Sequence, residues 1–171
     1  MEEVNTGRNN GAGTTYDAGD MPFDFVEQGT ETALVCEGDP AVRAKILEAL
    51  QTQGYRITEV ESSRDALKKT RFHVYDLVVL NERFGTDNPD TNDLMTYFSA
   101  LPMVTRRQMF IVLLSDRFRT MDNMAAFYRS VNLVINPKNI DSAGVILKRG
   151  INDHVAFYRV FHEMLKKTGK A

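Results

Sequence analysis

The chain has 171 residues, of which 43% are hydrophobic and 26% charged, and its formal net charge is -2. This length suits one domain of ordinary size, and this balance provides no field that would draw nucleic acid by charge alone. Cys36 is the single cysteine, which excludes an intramolecular disulfide and a zinc site of Cys-x-x-Cys spacing and points to a reducing compartment.

The first 30 residues lack the basic start and apolar run of a secretory signal, and no apolar stretch approaches bilayer length. A soluble cytoplasmic protein that does not engage a membrane is the expectation. Residues 1–30 are rich in Gly, Asn, Thr and acidic side chains, with little apolar content before Met21, too little to offset their ordering entropy. They read as a flexible tail ahead of a domain over 31–171, with Phe23, Phe25 and Val26 able to dock on that domain. Gly11 and Gly13 have no strand before them and no Gly-Lys-Ser/Thr after them, so they read as linker and not as a phosphate loop.

From Ala33 onward, short apolar runs alternate with helix-period segments, the pattern of an α/β domain. Ala33-Leu34-Val35-Cys36 reads as a strand buried on both faces, ending in the turn Glu37-Gly38-Asp39-Pro40. Asp39 and Pro40 suit the N-cap and N1 positions of a helix carrying Val42, Ile46, Leu47 and Leu50 and ending at Gly54. A second strand is expected over 55–60, and a helix capped by Ser62 or Ser63 follows it. Tyr75-Asp76-Leu77-Val78-Val79-Leu80 is the most strand-like run of the chain and should be central. Residues 81–90 read as a loop and 91–101 as a helix. A fourth strand is expected over 109–114, a fourth helix over 120–131, a fifth strand over 133–135 and a long helical tract over 139–167. Gly144 and Gly150 are placed to break that tract in two. The total is five strands and five helices in alternation, a doubly wound parallel five-stranded sheet.

In order and spacing, residues 31–150 resemble the receiver domain of bacterial two-component response regulators, with its flavodoxin-like (βα)5 topology. In that family an acidic pair ends the first strand, a phospho-accepting Asp the third, a Ser or Thr the fourth, and a Lys followed by Pro the fifth. Here the acidic pair falls on Glu37 and Gly38, so the second acid, which ordinarily binds Mg²⁺, is missing. The phospho-acceptor falls on Asn81, whose amide cannot form an acyl phosphate. Ser115 keeps the hydroxyl position. The Lys position is Asn136, before Pro137, with Lys138 displaced beyond the proline, and the aromatic position three residues earlier is Leu133. The resemblance thus implies a degenerate phosphorylation pocket at Glu37, Gly38, Asn81, Ser115 and Asn136, with no catalytic residue and no metal. No Ser/Thr/Gly-rich loop follows the first strand, which argues against FMN, and no cofactor is expected.

Other constellations are weaker. Glu37 and Asp39 as a catalytic pair compete with the simpler reading of Asp39 as a cap. His73, His154 and His162 lack the spacing of a helical metal site. Ser115 and Asp116 have no histidine near them in the pattern to serve as a base. Arg106, Arg107, Arg117 and Arg119 cluster around the fourth strand, and Asp87, Asp90 and Asp93 after the third; both sets read as a solvated polar face, with an electrostatic docking face for a partner as the alternative, and nucleic acid is not an expected partner. In the C-terminal tract, Ile140, Leu147, Ile151, Val155, Tyr158 and Leu165 form one apolar stripe able to pack on the sheet. Phe157, Val160, Phe161 and Met164 add a second. Since receivers commonly use their last helix and its neighbours to dimerise or dock, the resemblance implies an assembly surface over 151–167, for a protein partner or a second copy in a homodimer; the alternative is that the second stripe packs intramolecularly on the tail or a neighbouring helix. The expected function is that of a non-enzymatic, phosphorylation-independent signalling module acting through protein–protein interaction. The alternative is a receiver whose remodelled pocket still responds to a phosphodonor or small ligand.

Overall fold

The computed structural model describes residues 29–169, so the expected tail and its Phe23, Phe25 and Val26 lie outside the described residues. Five parallel strands, β1 (Thr32–Cys36), β2 (Arg56–Glu59), β3 (Leu77–Asn81), β4 (Phe110–Leu114) and β5 (Leu133–Ile135), form one sheet in the order β2-β1-β3-β4-β5. Leu34 pairs with Val78, and Leu80 with Leu113. The described residues contain six α-helices, α1 (Pro40–Thr52), α2 (Ser63–Phe72), α3 (Asp93–Ser99), α4 (Met103–Arg106), α5 (Asn123–Tyr128) and α6 (Ala143–Lys167), of which all but α4 bury side chains against the sheet.

The continuous apolar runs β1, β3 and β4 are buried because both faces of the sheet are covered, and the period of two along each strand sorts their side chains into two cores. Leu34, Cys36, Val78, Leu80, Ile111, Leu113 and Val134 meet Ala66 of α2, Leu94 and Phe98 of α3 and Ala125 and Ala126 of α5. Ala33, Val35, Leu77, Val79, Val112, Leu114 and Ile135 meet Ile46 and Leu50 of α1 and Ala143 and Leu147 of α6. The expected parallel α/β sheet is therefore the observed one.

Several local expectations are corrected. The short α4 follows Pro102 and makes the count six helices and not five among the described residues. The expected helix over 120–131 shrinks to Asn123–Tyr128: Met121 and Ser130 take positive φ of 61° and 57°, which a right-handed helix cannot contain. The C-terminal tract begins with a 3-10 segment, Pro137–Ser142, and then runs unbroken through Gly144 and Gly150. Gly150 is used for close approach, since a Cβ there would lie 3.2 Å from Phe110 and 3.1 Å from Leu133. Val155, assigned to the sheet-packing stripe, is instead exposed.

With 25 residues, α6 is about 37 Å long at 1.5 Å per residue, about twice the length of α1 on the same face. His154 packs edge-on to Phe110, the first residue of β4, so the helix passes the end of the sheet near this point and its last turns overhang. Phe157, Val160 and Met164 are exposed there, while Arg107 lies over the Phe161 ring at 5.2 Å. No described helix is long and apolar enough to cross a membrane.

Candidate functional site

In a sheet of this order the connections from β1 and β3 leave in opposite directions, which opens a crevice outside the carboxyl ends of those strands. Glu37 follows β1 and Asn81 ends β3, so the topology brings them together. Glu37 is 1% exposed. Its Oε1 accepts from the Asp39 backbone N–H at 2.8 Å, and its Oε2 accepts from Asn81 Nδ2 at 2.8 Å. Asn81 Oδ1 in turn accepts from the Arg83 N–H at 2.9 Å. Asp39 is the cap it was expected to be, taking the Ala41 and Val42 N–H groups. Gly38 is exposed, and a Cβ there would meet nothing within 4 Å. Packing therefore leaves room for a larger side chain at position 38.

Ser115 joins the crevice through a residue that sequence reasoning passed over. Glu82 is 1% exposed; Ser115 Oγ donates to its Oε1 at 2.7 Å, and Arg117 closes on both of its oxygens, with Nε at 3.2 and 3.1 Å and Nη2 at 2.8 Å from Oε2. Ser115 Oγ also accepts from the Arg117 N–H at 3.1 Å. The hydrogen bonds to Glu82 hold the Arg117 guanidinium well above the usual arginine range. Arg117 Nη2 reaches Asp90 Oδ1 at 3.1 Å, and Arg129 Nη1 reaches the same oxygen at 3.2 Å. The hydrogen bond from Arg117, before its charge, holds the Asp90 carboxyl below its ordinary value.

The loop presenting Glu82 is fixed from behind. Asn92 is buried and caps α3, taking the Leu94 and Met95 N–H groups on its Oδ1 while its Nδ2 donates to the carbonyl of Glu82 at 2.9 Å. Gly85 turns the chain with a φ of 71° beside Ser63, whose hydroxyl bonds the Phe84 carbonyl. Asn136 is buried, but its Oδ1 caps the following 3-10 segment by accepting from the Lys138 N–H at 3.1 Å, and its Nδ2 is spent on the segment between β4 and α5. Its Nδ2 donates to the carbonyls of Phe118 at 2.8 Å and Asp116 at 3.3 Å, and its backbone N–H donates to Thr120 Oγ1 at 2.9 Å.

The structure thus joins Glu37 to Asn81 directly and Ser115 to Glu82, while Gly38 contributes no side chain and Asn136 serves the adjoining loop. The four arginines expected as one polar cluster divide. Arg117 is in the crevice, whereas Arg106 lies at the opposite end of β4, bonding the carbonyls of Met109 and Ser130 and Asn132 Oδ1. The signal for Glu82 was its parity: it continues the alternation of Leu80, and its N–H still donates to the Leu114 carbonyl, so the strand path reaches one residue into the expected loop. Chemically the crevice offers no ionised nucleophile at position 81, and its oxyanion-binding donors are already engaged by Glu82. Among the described residues no group of three or more His, Cys, Asp or Glu is placed to hold a metal ion.

No family model and no curated protein matches the chain. Solved structures do match. The receiver domain of the sensor histidine kinase PA1611 from Pseudomonas aeruginosa, with a magnesium ion coordinated in its active-site cleft, has a TM-score of 0.54 and 21% identity, over 72% of this chain and 98% of that one. HP1043, an orphan response regulator of H. pylori, has a TM-score of 0.53 and 16% identity over 72% and 98%. The chemotaxis response regulator CheY4 of Vibrio cholerae has 0.51 and 15% over 71% and 98%. Strand order, the two alternating cores and these superpositions together give the chain the fold of response-regulator receiver domains.

Proposed function

We propose that this chain is a receiver-like signalling module that works without phosphorylation, by contact with another protein in the cytoplasm, and that it is not an enzyme. The observation that carries this reading is the side chain at the end of β3. Asn81 presents an amide, which is no nucleophile toward a phosphodonor, and that amide donates to Glu37 at 2.8 Å. The second metal-binding acid of the resembled pocket is Gly38 and its lysine is Asn136, so two of that pocket's charges are replaced together, and the guanidinium that is present, Arg117, is engaged by Glu82.

The overhanging end of α6 supports the second half of the reading. Phe157 is 81% exposed, and Val160 and Met164 lie beside it at helical spacing. Such a stripe on a projecting helix is the form in which helices present apolar anchors to a partner. We assign the interaction surface to Phe157, Val160, Phe161 and Met164, with a protein partner or a second copy of the chain as its occupant.

Titration with Mg²⁺ and beryllofluoride, followed through the backbone amide resonances, tests the pocket. Unmoved resonances for Asn81 and Ser115 are expected. Saturable shifts at those amides would overturn phosphorylation independence and restore a ligand-responsive pocket.

A further inference from the structure

Burying a carboxylate is costly unless its charge and lone pairs are met. Those of Glu82 are met by one hydroxyl and one guanidinium, Ser115 Oγ at 2.7 Å and the Nε and Nη2 groups of Arg117 at 2.8 to 3.2 Å. A hydroxyl and a forked guanidinium converging on two oxygens form a donor set suited to a free carboxylate or phosphate. Here the oxyanion arrives on the same chain, one residue after Asn81. The guanidinium also reaches outward: Nη2 shares Asp90 Oδ1 with Arg129, and Arg129 Nη2 donates to the Pro89 carbonyl at 3.0 Å. Arg129 caps the C-terminus of α5, whose Met124, Phe127 and Tyr128 are exposed.

We infer that Glu82 is a built-in ligand for an oxyanion site made by Ser115 and Arg117, and that the filled site, relayed through Asp90 to Arg129, fixes α5 on the domain. The chemical class that fits the site is a small monocarboxylate, which enters once the Glu82 side chain is removed. The inference deepens the phosphorylation-independent reading, on which it rests for the absence of a transferred phosphoryl group at this crevice. α5 is only six residues long, too short to hold its place by helix propensity, and it buries mainly Ala125 and Ala126. A charge relay at its C-terminal end therefore bears heavily on its position.

Two variants of the full chain test the inference. In Glu82→Ala, sodium acetate is expected to raise the thermal midpoint relative to sodium chloride at equal ionic strength. It should leave wild type and the double variant Glu82→Ala/Arg117→Met unmoved. Should Glu82→Ala not fold in chloride, the refolding yield in acetate becomes the readout. Recovery supports the site; equal behaviour in acetate and chloride overturns it. Asp90→Asn changes an exposed residue and spares the core. Backbone amides of α5 are expected to exchange about tenfold faster in this variant, with those of α1 unchanged, and unchanged exchange in α5 overturns the relay. Beryllofluoride shifts in wild type would defeat the phosphorylation-independent reading while leaving the acetate response intact. A missing acetate response would defeat this inference and leave the silent titration standing.

Discussion

Asn81 Nδ2 donates to Glu37 Oε2 across 2.8 Å in a crevice where Glu37 is 1% exposed. An amide at position 81 therefore does more than remove a nucleophile: it supplies the donor that a buried carboxylate requires, in a place where a second carboxylate would repel it. The side chains of this crevice satisfy one another, and introducing one residue of the resembled constellation should harm the protein before it helps it.

Asn81→Asp is accordingly expected to destabilise the domain by about 1–3 kcal/mol at neutral pH, the cost of an unmet buried polar group together with like-charge repulsion. Repulsion raises the folded-state pKa of the pair above its unfolded value, so the penalty is absent at low pH, where the pair carries a proton, and grows as pH rises through the raised folded value. Urea unfolding at pH 4 and pH 7 reads the difference. Mg²⁺ should recover part of the loss, and more of it in Asn81→Asp/Gly38→Asp, because a Cβ at position 38 meets nothing within 4 Å. A variant as stable as wild type at both pH values would show that the Glu37–Asn81 hydrogen bond carries no weight.

Arg117→Met leaves Glu82 buried with its charge unpaired, and removing one partner of such a pair costs on the order of 3 kcal/mol. Arg117 retains side-chain exposure of 32%, which places the expectation at the low end of the range for fully buried pairs. Replacing both partners, in Glu82→Leu/Arg117→Met, should recover much of the loss, since an apolar pair of similar volume dispenses with desolvation. Urea midpoints of the two single variants and the double variant give the coupling energy, and simple additivity would show that the pair is not a unit.

How far these residues could be read from sequence follows from their physics. β1, β3 and β4 are continuous apolar runs because helices cover both faces of the sheet, and such runs are visible without coordinates. Glu37 and Asn81 are legible through the resemblance to receiver domains, whose landmarks sit at strand ends, and the observed topology brings those two ends together. Glu82 is not legible, because a buried acid inside the polar run Asn81-Glu82-Arg83 is indistinguishable from a solvated loop acid until Ser115 and Arg117, more than 30 residues away, are seen against it. The periodicity over 120–131 overstates α5 because Met121 and Ser130 reveal no positive φ in their identities, and Gly150 resembles a break in sequence because its use, a contact with Phe110 and Leu133, is tertiary.

The exposed stripe on α6 allows folding stability and self-association to be tested separately. Replacing Phe157, Val160 and Met164 together by Ser should shift folding stability by about 0.5 kcal/mol or less per site, because these side chains are exposed. Leu147→Ala on the same helix, where the side chain is fully buried, should cost about 2–5 kcal/mol. Sedimentation velocity across a concentration series should show self-association in wild type and its loss in the triple variant. An unaltered distribution in the triple variant would remove the stripe from any homodimer.

His154 gives the domain an acid-side sensitivity independent of the crevice. Asn132 Oδ1 accepts from the Ile111 N–H at 2.9 Å and from Arg106 Nη2 at 2.8 Å, so its Nδ2 is the group that faces His154 Nδ1 at 3.3 Å, and that ring nitrogen must be unprotonated to accept. Burial against Phe110 and Tyr158, then the charges of Arg106 and His162, push the imidazole down from 6.5 to about 4. A histidine with a depressed folded value contributes stability that is fully present above its unfolded value and is lost as pH falls toward the folded one. The window is therefore pH 6.5 down to about 4. His154→Phe keeps an aromatic ring on Phe110 and removes the titration. Its stability relative to wild type should rise as pH falls from 7 to 5, measured as the difference in urea midpoints. A difference that does not change with pH would mean that His154 enters the folded state as easily charged as neutral, and that the Asn132 contact does not fix its protonation.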